Sequence, residues 1–169
     1  MSNQKWLQEG KIEAIILTHF DREIKIVEIL PYGFKLEADP STIARSFPLS
    51  SRGGELVIYK VGDRWVVSLT VPLMKEKPRP GLASILVLVR DWSRVFQVAA
   101  GLVKAYDDLT REGLTLKDLA RRLPDIRGFI GGTYDIEEIA KVPLKSGKNI
   151  SIKNKIIKKG INFFVGGSK

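Results

Sequence analysis

The chain has 169 residues, of which 44% are hydrophobic, and its 28 basic and 19 acidic side chains give a formal net charge of +9. This length predicts one domain with a core plus an appendage, and this composition is typical of a globular protein rather than a disordered chain. The absence of cysteine excludes disulfides, thiol chemistry and cysteine-ligated zinc, and it favours an intracellular compartment.

Two strands and a short helix are predicted in the first third of the chain. The apolar run 11–20 and the alternating segment 23–31 are of strand length, and the polar residues between them predict a hairpin connection. Asp39 is a favourable N-cap and Pro40 suits the first position of a helix, which predicts a short helix over 39–47.

Three further strands are predicted over 55–61, 64–73 and 82–89. The first two are joined by Gly62-Asp63, a pair typical of a tight hairpin turn. The third is nearly all apolar, as is usual for a strand covered on both faces. We therefore expect this strand at the centre of a sheet, with 23–31 and 55–61 at its edges.

Two helices are predicted after the last strand. Asp91 is a suitable cap for a helix over 92–112, whose apolar residues recur at helical spacing and form one stripe to pack on the sheet. Thr115 and Asp118 have capping-box spacing at the start of a helix over 115–123. The predicted fold class is α+β, a five-stranded antiparallel sheet with one short helix on one face and two helices on the other, in the order β-β-α-β-β-β-α-α.

The end of the second helix defines the predicted domain boundary. Pro124 is expected to stop the helix, and the glycines of "GFIGG" at 128–132 predict a flexible joint after it. We accordingly divide the chain into an N-terminal lead over 1–9, a domain over 10–127 and a C-terminal extension over 128–169. Apolar residues flanking a Ser-Gly pair predict one more hairpin over 138–153.

The C-terminal extension is strongly cationic. Residues 141–169 hold eight of the lysines and no acid, which leaves 20 basic and 19 acidic side chains in residues 1–140. A basic charge confined to one end indicates an anionic target or partner. The stretch "NISIKNKIIKKGINFF" interleaves these lysines with apolar residues. We predict binding by Lys145, Lys148, Lys153, Lys155, Lys158, Lys159, Phe163 and Phe164.

Several interpretations of this extension stay open. It packs on the domain itself or on a partner protein, by filling a groove or adding to a sheet edge. It docks on an anionic membrane, where each lysine contributes about 1 kcal/mol. It binds nucleic acid, with lysines on phosphates and phenylalanines stacked on bases. The structural alternatives are an edge strand that lysines protect from aggregation and a disordered end.

One cluster, His19, Asp21 and Glu23, suggests metal or acid–base chemistry. The favoured interpretation is a hairpin turn, because a turn offers few further ligands. No nucleophile motif or phosphate-binding loop surrounds Ser50 and Ser51. We therefore expect a protein that is not an enzyme and that uses no cofactor, metal or small-molecule substrate.

The sequence also bears on localisation. The start "MSNQKWLQEG" lacks the apolar segment of a signal peptide, and the longest apolar runs are of strand length rather than the roughly 20 residues that span a bilayer. We expect a cytoplasmic protein, peripheral at the membrane if the extension docks there.

The element order and two stretches resemble the longin-like domains of the SNARE-like superfamily. "LTHFDREIKIVEILP" (17–31) and "RPGLASILVLV" (79–89) are similar to the opening hairpin and central strand of archaeal longin-like proteins. The related roadblock domains begin with a helix for which residues 2–9 are too short, and profilin-type domains are more distant. The resemblance covers about 10–123.

This resemblance implies a non-enzymatic interaction scaffold of the kind found in membrane trafficking. Its expected partners are a second copy of the chain, another longin or roadblock-type subunit, or a small GTPase. Some members fold a C-terminal segment into a groove between the first helix and the third strand. The corresponding groove here would be lined by Ile43, Phe47, Leu56 and Ile58. The alternative function is nucleic-acid binding by the lysine- and phenylalanine-rich extension.

Overall fold

Five antiparallel strands form one sheet in a computed structural model that describes residues 12–35, 43, 46–47, 53–111 and 113–132. The strands are β1 (Ile12–Phe20), β2 (Ile24–Leu30), β3 (Leu56–Val61), β4 (Arg64–Leu73) and β5 (Gly81–Val89). Their order across the sheet is β2-β1-β5-β4-β3. The predicted α+β class is confirmed, as are the central position of the most apolar strand and the two outer strands.

Short turns set the pairing of neighbouring strands. Gly62 turns β3 into β4 with a φ of 63°, a left-handed conformation that favours glycine. Residues 21–23 connect β1 to β2, and the N–H of Asp21 donates to the carbonyl of Glu23 across this turn. Leu17 pairs with Glu28 whereas Thr18 pairs with Ile26, so Val27 is an extra residue in β2 and forms a β-bulge.

Two helices follow the sheet, α1 (Trp92–Thr110) and α2 (Leu116–Ile130). The carboxylate of Asp91 accepts a hydrogen bond from the N–H of Ser93 at the start of α1. Thr115 and Asp118 form a reciprocal capping box at the start of α2. Both predicted caps are confirmed.

The predicted end of α2 is wrong. The helix continues through Pro124 to Ile130, so the "GFIGG" segment supplies its last turn and cap rather than a flexible joint, and the helix runs past the boundary placed at 127. The buried stripe explains this, because Leu123 is followed by Ile126 and Ile130 at helical spacing and all three are fully buried. The carbonyl of Pro124 accepts a hydrogen bond from Nε of Arg127. Burial of this stripe outweighs the hydrogen bond that the proline removes.

The main core lies between the sheet and the two helices. It includes residues of the central strands and the apolar stripes of both helices, among them Ile15, Leu17, Val67, Ile85, Val87, Val98, Leu102, Leu119 and Leu123. The rings of Trp65 and Trp92 pack with their centroids 4.3 Å apart. Burial of this continuous apolar surface is the main stabilising term for the arrangement.

The opposite face of the sheet carries a smaller apolar cluster, formed by Ala14, Ile16, Tyr59, Val66, Leu86 and Leu88. Beside it lie fully buried hydroxyl residues, Thr18, Ser68, Thr70 and Ser84. The helix predicted over 39–47 belongs mostly to residues outside those described. Of that segment Ile43 is helical, and both the N–H and Oγ of Ser46 donate to its carbonyl.

Candidate protein-interaction surface

The two outer strands of the sheet differ in exposure. In β3 every residue is buried or half-buried, whereas Lys25, Ile26 and Val27 of β2 are exposed in succession. No other strand in the described part of the chain lies beyond β2. Such a strand presents backbone N–H and C=O groups to which another strand can add. The two outer strands therefore differ in side-chain exposure: three successive residues of β2 are exposed, and no residue of β3 is.

Apolar side chains surround β2. Of the described large apolar residues that are exposed, Phe20, Ile26 and Val27 lie in β2 or at the adjacent end of β1, with exposed fractions of 43%, 43% and 38%. Phe20 pairs with Ile24 and Thr18 with Ile26, so Phe20 and Ile26 are diagonal neighbours on one face. We call Phe20, Ile24, Ile26 and Val27 the β2 patch.

The bulge at Val27 determines where the charges of β2 lie. Lys25 pairs with His19 and Glu28 with Leu17, which share one face of β1. Lys25 and Glu28 would lie on opposite faces of a regular strand, because side chains alternate with a period of two. The extra residue brings them to the same face, while Ile24 and Ile26 lie on the other. Strand β2 thus has an apolar face, which carries Ile24 and Ile26, and a face with a pair of opposite charges, Lys25 and Glu28.

The hairpin tip beside this patch is held by one exposed ion pair. A guanidinium nitrogen of Arg79 donates to Oδ1 of Asp21 at 2.6 Å. This hydrogen bond is the main reason that the pKa of Asp21 is lowered from 3.8. The interaction joins the β1–β2 turn to the loop between β4 and β5.

The structure separates the four residues predicted to line a groove. Leu56 and Ile58 belong to the core cluster shared with the helices and are 4% and 1% exposed. Phe47 packs against Phe20 at a ring-centroid distance of 5.7 Å, on the opposite face of the sheet. Ile43 is buried and belongs to neither of the two core clusters. These residues do not converge on one surface, because β3 turns Leu56 and Ile58 toward α1 and α2.

The cluster of His19, Asp21 and Glu23 occupies the end of β1 and the turn, as the favoured interpretation predicted. Asp21 is paired with Arg79, and Glu23 lies 3.4 Å from Lys25. Among the described residues, no three histidine, cysteine or acidic side chains are grouped to hold a metal ion. Neither α1 nor α2, the helices described, is long and apolar enough to cross a membrane.

The predicted binding residues of the extension, Lys145 to Phe164, lie outside the described residues, as do the lead over 1–9 and the hairpin over 138–153. The β2 patch was missed as a site, although its alternating isoleucines were recognised as a strand. The available signal was the break in that alternation at Val27, which places two adjacent apolar residues on an outer strand.

Comparison with protein-family models, with curated proteins and with solved structures finds no match to this chain. The resemblance to longin-like domains stays a prediction from element order and the two quoted stretches.

Proposed function

We propose that this protein is a non-enzymatic protein-interaction module that pairs with a second copy of itself through β2. The observation that carries the proposal is the exposure of β2, with three successive exposed residues beside an exposed phenylalanine, while no residue of β3 is exposed. Antiparallel pairing of two β2 strands would join the sheets of two copies into one ten-stranded sheet around a twofold axis.

The sequence of β2 is complementary to itself in one antiparallel register. With the twofold axis between Ile26 and Val27, opposite residues pair as Ile24 with Ile29, Lys25 with Glu28, and Ile26 with Val27. Opposite charges directly across two strands contribute about 0.2–1 kcal/mol each. The axis creates this pair twice, so charge favours this register over its neighbours.

Light scattering coupled to size-exclusion chromatography tests the pairing. We expect a mass near twice the 18.9 kDa of one chain. Ile26→Lys should shift the mass to that of one chain, because it places a charge against the apolar residues of the partner strand. Met74→Lys is the matched control, since Met74 is 62% exposed but lies outside β2. A wild-type chain that stays monomeric at every concentration would mean that the charges and bulge of β2 only protect the edge.

A charge exchange tests the register itself. Lys25→Glu alone should weaken dimerisation, since it sets two glutamates opposite each other. The double variant Lys25→Glu with Glu28→Lys should restore it, because the cross-strand pair is rebuilt with reversed polarity. Lys25 also contacts Glu23 within the same chain, at 3.4 Å. Rescue by Glu28→Lys separates the pairing between copies from this local contact.

Finer assignments rest on composition and resemblance. The longin-like resemblance supports a second longin or roadblock-type subunit, or a small GTPase, as additional partners. Composition supports a cytoplasmic location, with the lysine-rich extension packed on a partner or peripheral at an anionic membrane. Affinity capture with the full chain and with residues 1–140, followed by identification of the proteins that differ, tests these assignments.

A further inference from the structure

The two helices cover different parts of the sheet. Helix α1 packs against β4 and β5, whereas α2 packs against β1 and β2. Because β2 is an outer strand and β1 is its neighbour, α2 lies over the side of the sheet at which the proposed pairing occurs. Helix α2 is therefore the helix nearest to a second copy that pairs through β2.

The bulge at Val27 gives β2 the same succession of faces on both sides of its midpoint. Lys25 and Glu28 lie on the side of the sheet that carries the helices, and Ile24 and Ile29 lie on the other side. Residues directly opposite each other in an antiparallel pair share a face. A regular strand would place Lys25 and Glu28 on different faces. The extra residue therefore permits the register in which Lys25 of each copy lies opposite Glu28 of the other.

This pairing brings the two copies of α2 together. Two antiparallel strands related by a twofold axis keep like faces on one side, so the helices of both copies cover the same side of the ten-stranded sheet. Neighbouring strands are about 4.8 Å apart, so a helix over β1 and β2 lies about 5 Å from the axis. The two α2 axes are then about 10 Å apart, close to the distance of about 8–10 Å between packed helices.

The side of α2 that would meet its copy is mostly apolar. Arg122 and Phe129 lie on the side that faces α1, because Arg122 pairs with an aspartate of α1 and the backbone of Phe129 contacts a glycine of that helix. On the side away from α1, half-buried residues recur every four positions, namely Leu116, Ala120 and Pro124. Ala120, at the middle of this row, is small enough for two helices to approach closely.

Charges near this junction occur in compensating arrangements. Lys25 and Glu28 lie on the helix side of β2, so the two cross-strand pairs between copies lie beneath the junction of the α2 helices. Burial of a charge requires an opposite charge beside it, which this register supplies. Arg127 also lies on the side of α2 away from α1, and its Nε donates to the carbonyl of Pro124 in its own helix.

We propose that the α2 helices of two copies pack antiparallel across the twofold axis through Leu116, Ala120 and Pro124, and so add a second layer to the interface formed by β2. This contact rests on the proposed pairing of β2. Stable interfaces use about 20–30 residues on each side, whereas β2 has 7 residues. The apolar row of α2 supplies a second contacting element.

Cysteine cross-linking of the full chain tests this contact, because the chain has no cysteine of its own. Ala120→Cys places one thiol on each α2, and Lys104→Cys places one on the exposed side of α1. A short bismaleimide should join Ala120→Cys into a covalent dimer on denaturing gel electrophoresis. Lys104→Cys should stay a single chain at the same protein concentration, because two α1 helices over β4 and β5 lie about 30 Å apart.

Ala120→Glu tests whether the contact contributes to affinity. It sets two carboxylates beside the twofold axis, and like charges across an interface are unfavourable, so dimerisation should weaken by about tenfold or more. Lys104→Glu is the control and should dimerise as the wild type does. Circular dichroism and Tm show whether each variant keeps its fold, and Ala120→Cys provides a conservative second test at the same position.

The outcomes separate this contact from the pairing of β2. A wild-type chain that stays monomeric overturns both. A chain that forms a dimer sensitive to Ile26→Lys, but gives no cross-link with Ala120→Cys or dimerises equally well with a folded Ala120→Glu, overturns the α2 contact and leaves the β2 pairing in place. A cross-link together with weakened dimerisation supports the contact.

Discussion

The contact between α1 and α2 depends on the absence of a side chain at Gly101. A Cβ built there would lie 2.3 Å from the carbonyl oxygen of Phe129 and 2.8 Å from Cα of Ile130. Both atoms belong to backbone, so no change of rotamer relieves the clash. Gly101→Ala therefore requires the two helices to separate by roughly 1 Å at a point where Gly101 and Ile130 are buried.

Two effects of this substitution oppose each other. Alanine is favoured over glycine in a helix by about 1 kcal/mol. Overpacking of a well-packed core costs about 1–3 kcal/mol, and a clash with rigid backbone belongs at the upper end of that range. We expect Gly101→Ala to lower the free energy of unfolding by about 2 kcal/mol, which corresponds to a fall in Tm of about 4–8 °C for a chain of this size.

Gly128 provides a matched control because it also lies inside a helix. A Cβ there meets no atom within 4 Å, and the residue is exposed. Gly128→Ala should raise the free energy of unfolding by about 0.5–1 kcal/mol through helix propensity alone. Urea denaturation followed by far-ultraviolet circular dichroism measures both changes, with equal m-values as the check on comparability. A Gly101→Ala variant as stable as the wild type would refute the close contact between the helices.

Three further predictions concern single interactions and the extension. Ser84→Ala should leave the free energy of unfolding unchanged or raise it by up to about 1 kcal/mol, because no described atom pairs with the buried hydroxyl of Ser84. Ser68→Ala should lower it by about 1 kcal/mol, because it removes the hydrogen bond that the hydroxyl donates to the carbonyl of Val57. The midpoints of urea denaturation measure both changes. Asp118→Asn should destabilise the protein at neutral pH, and the difference from wild type should shrink as pH falls below 3.8. The reason is that a carboxylate whose folded pKa is lowered loses its contribution to stability on protonation. A difference in stability that is constant down to acid pH would contradict this. Residues 1–140 should sediment with anionic vesicles more weakly than the full chain, because the truncation removes eight lysines; equal sedimentation would mean that the extension is not the anionic contact.

The strands were predictable from the sequence because their signals, turn residues and apolar patterns, depend only on residues close together in the chain. Gly62 permits the left-handed turn between β3 and β4, and alternation in 23–31 shows a strand with one apolar face. The apolar run of β5 indicates coverage on both faces wherever the strand lies, which explains why its central position was predictable. The helix caps at Asp91 and Thr115 are likewise local, since each bonds within three residues.

The end of α2 depended on tertiary contacts. Pro124 normally ends a helix, yet burial of Ile126 and Ile130 against the core continues this one. The rule that proline ends a helix considers only the backbone hydrogen bond that proline cannot form. The apolar surface that stabilises the last turns of α2 is formed by segments far away in the sequence. The need for glycine at position 101 likewise depends on a tertiary contact, because the atoms that leave no room for a side chain belong to Phe129, 28 residues further along the chain.

Sites on the surface were the least predictable part. Leu56 and Ile58 were assigned to a groove, but the sheet turns them into the core, because only the packing of the whole domain decides which face of β3 meets the helices. The N–H of Lys75 donates to the carbonyl of Leu114, 39 positions further along the chain, a proximity that no spacing in the sequence encodes. The amino-acid sequence by itself determined the strands, the helix starts and the concentration of positive charge in 141–169, since these depend on local backbone preferences and composition. Tertiary structure decided which residues of the outer strands are exposed and where α2 ends, because both depend on contacts between distant segments.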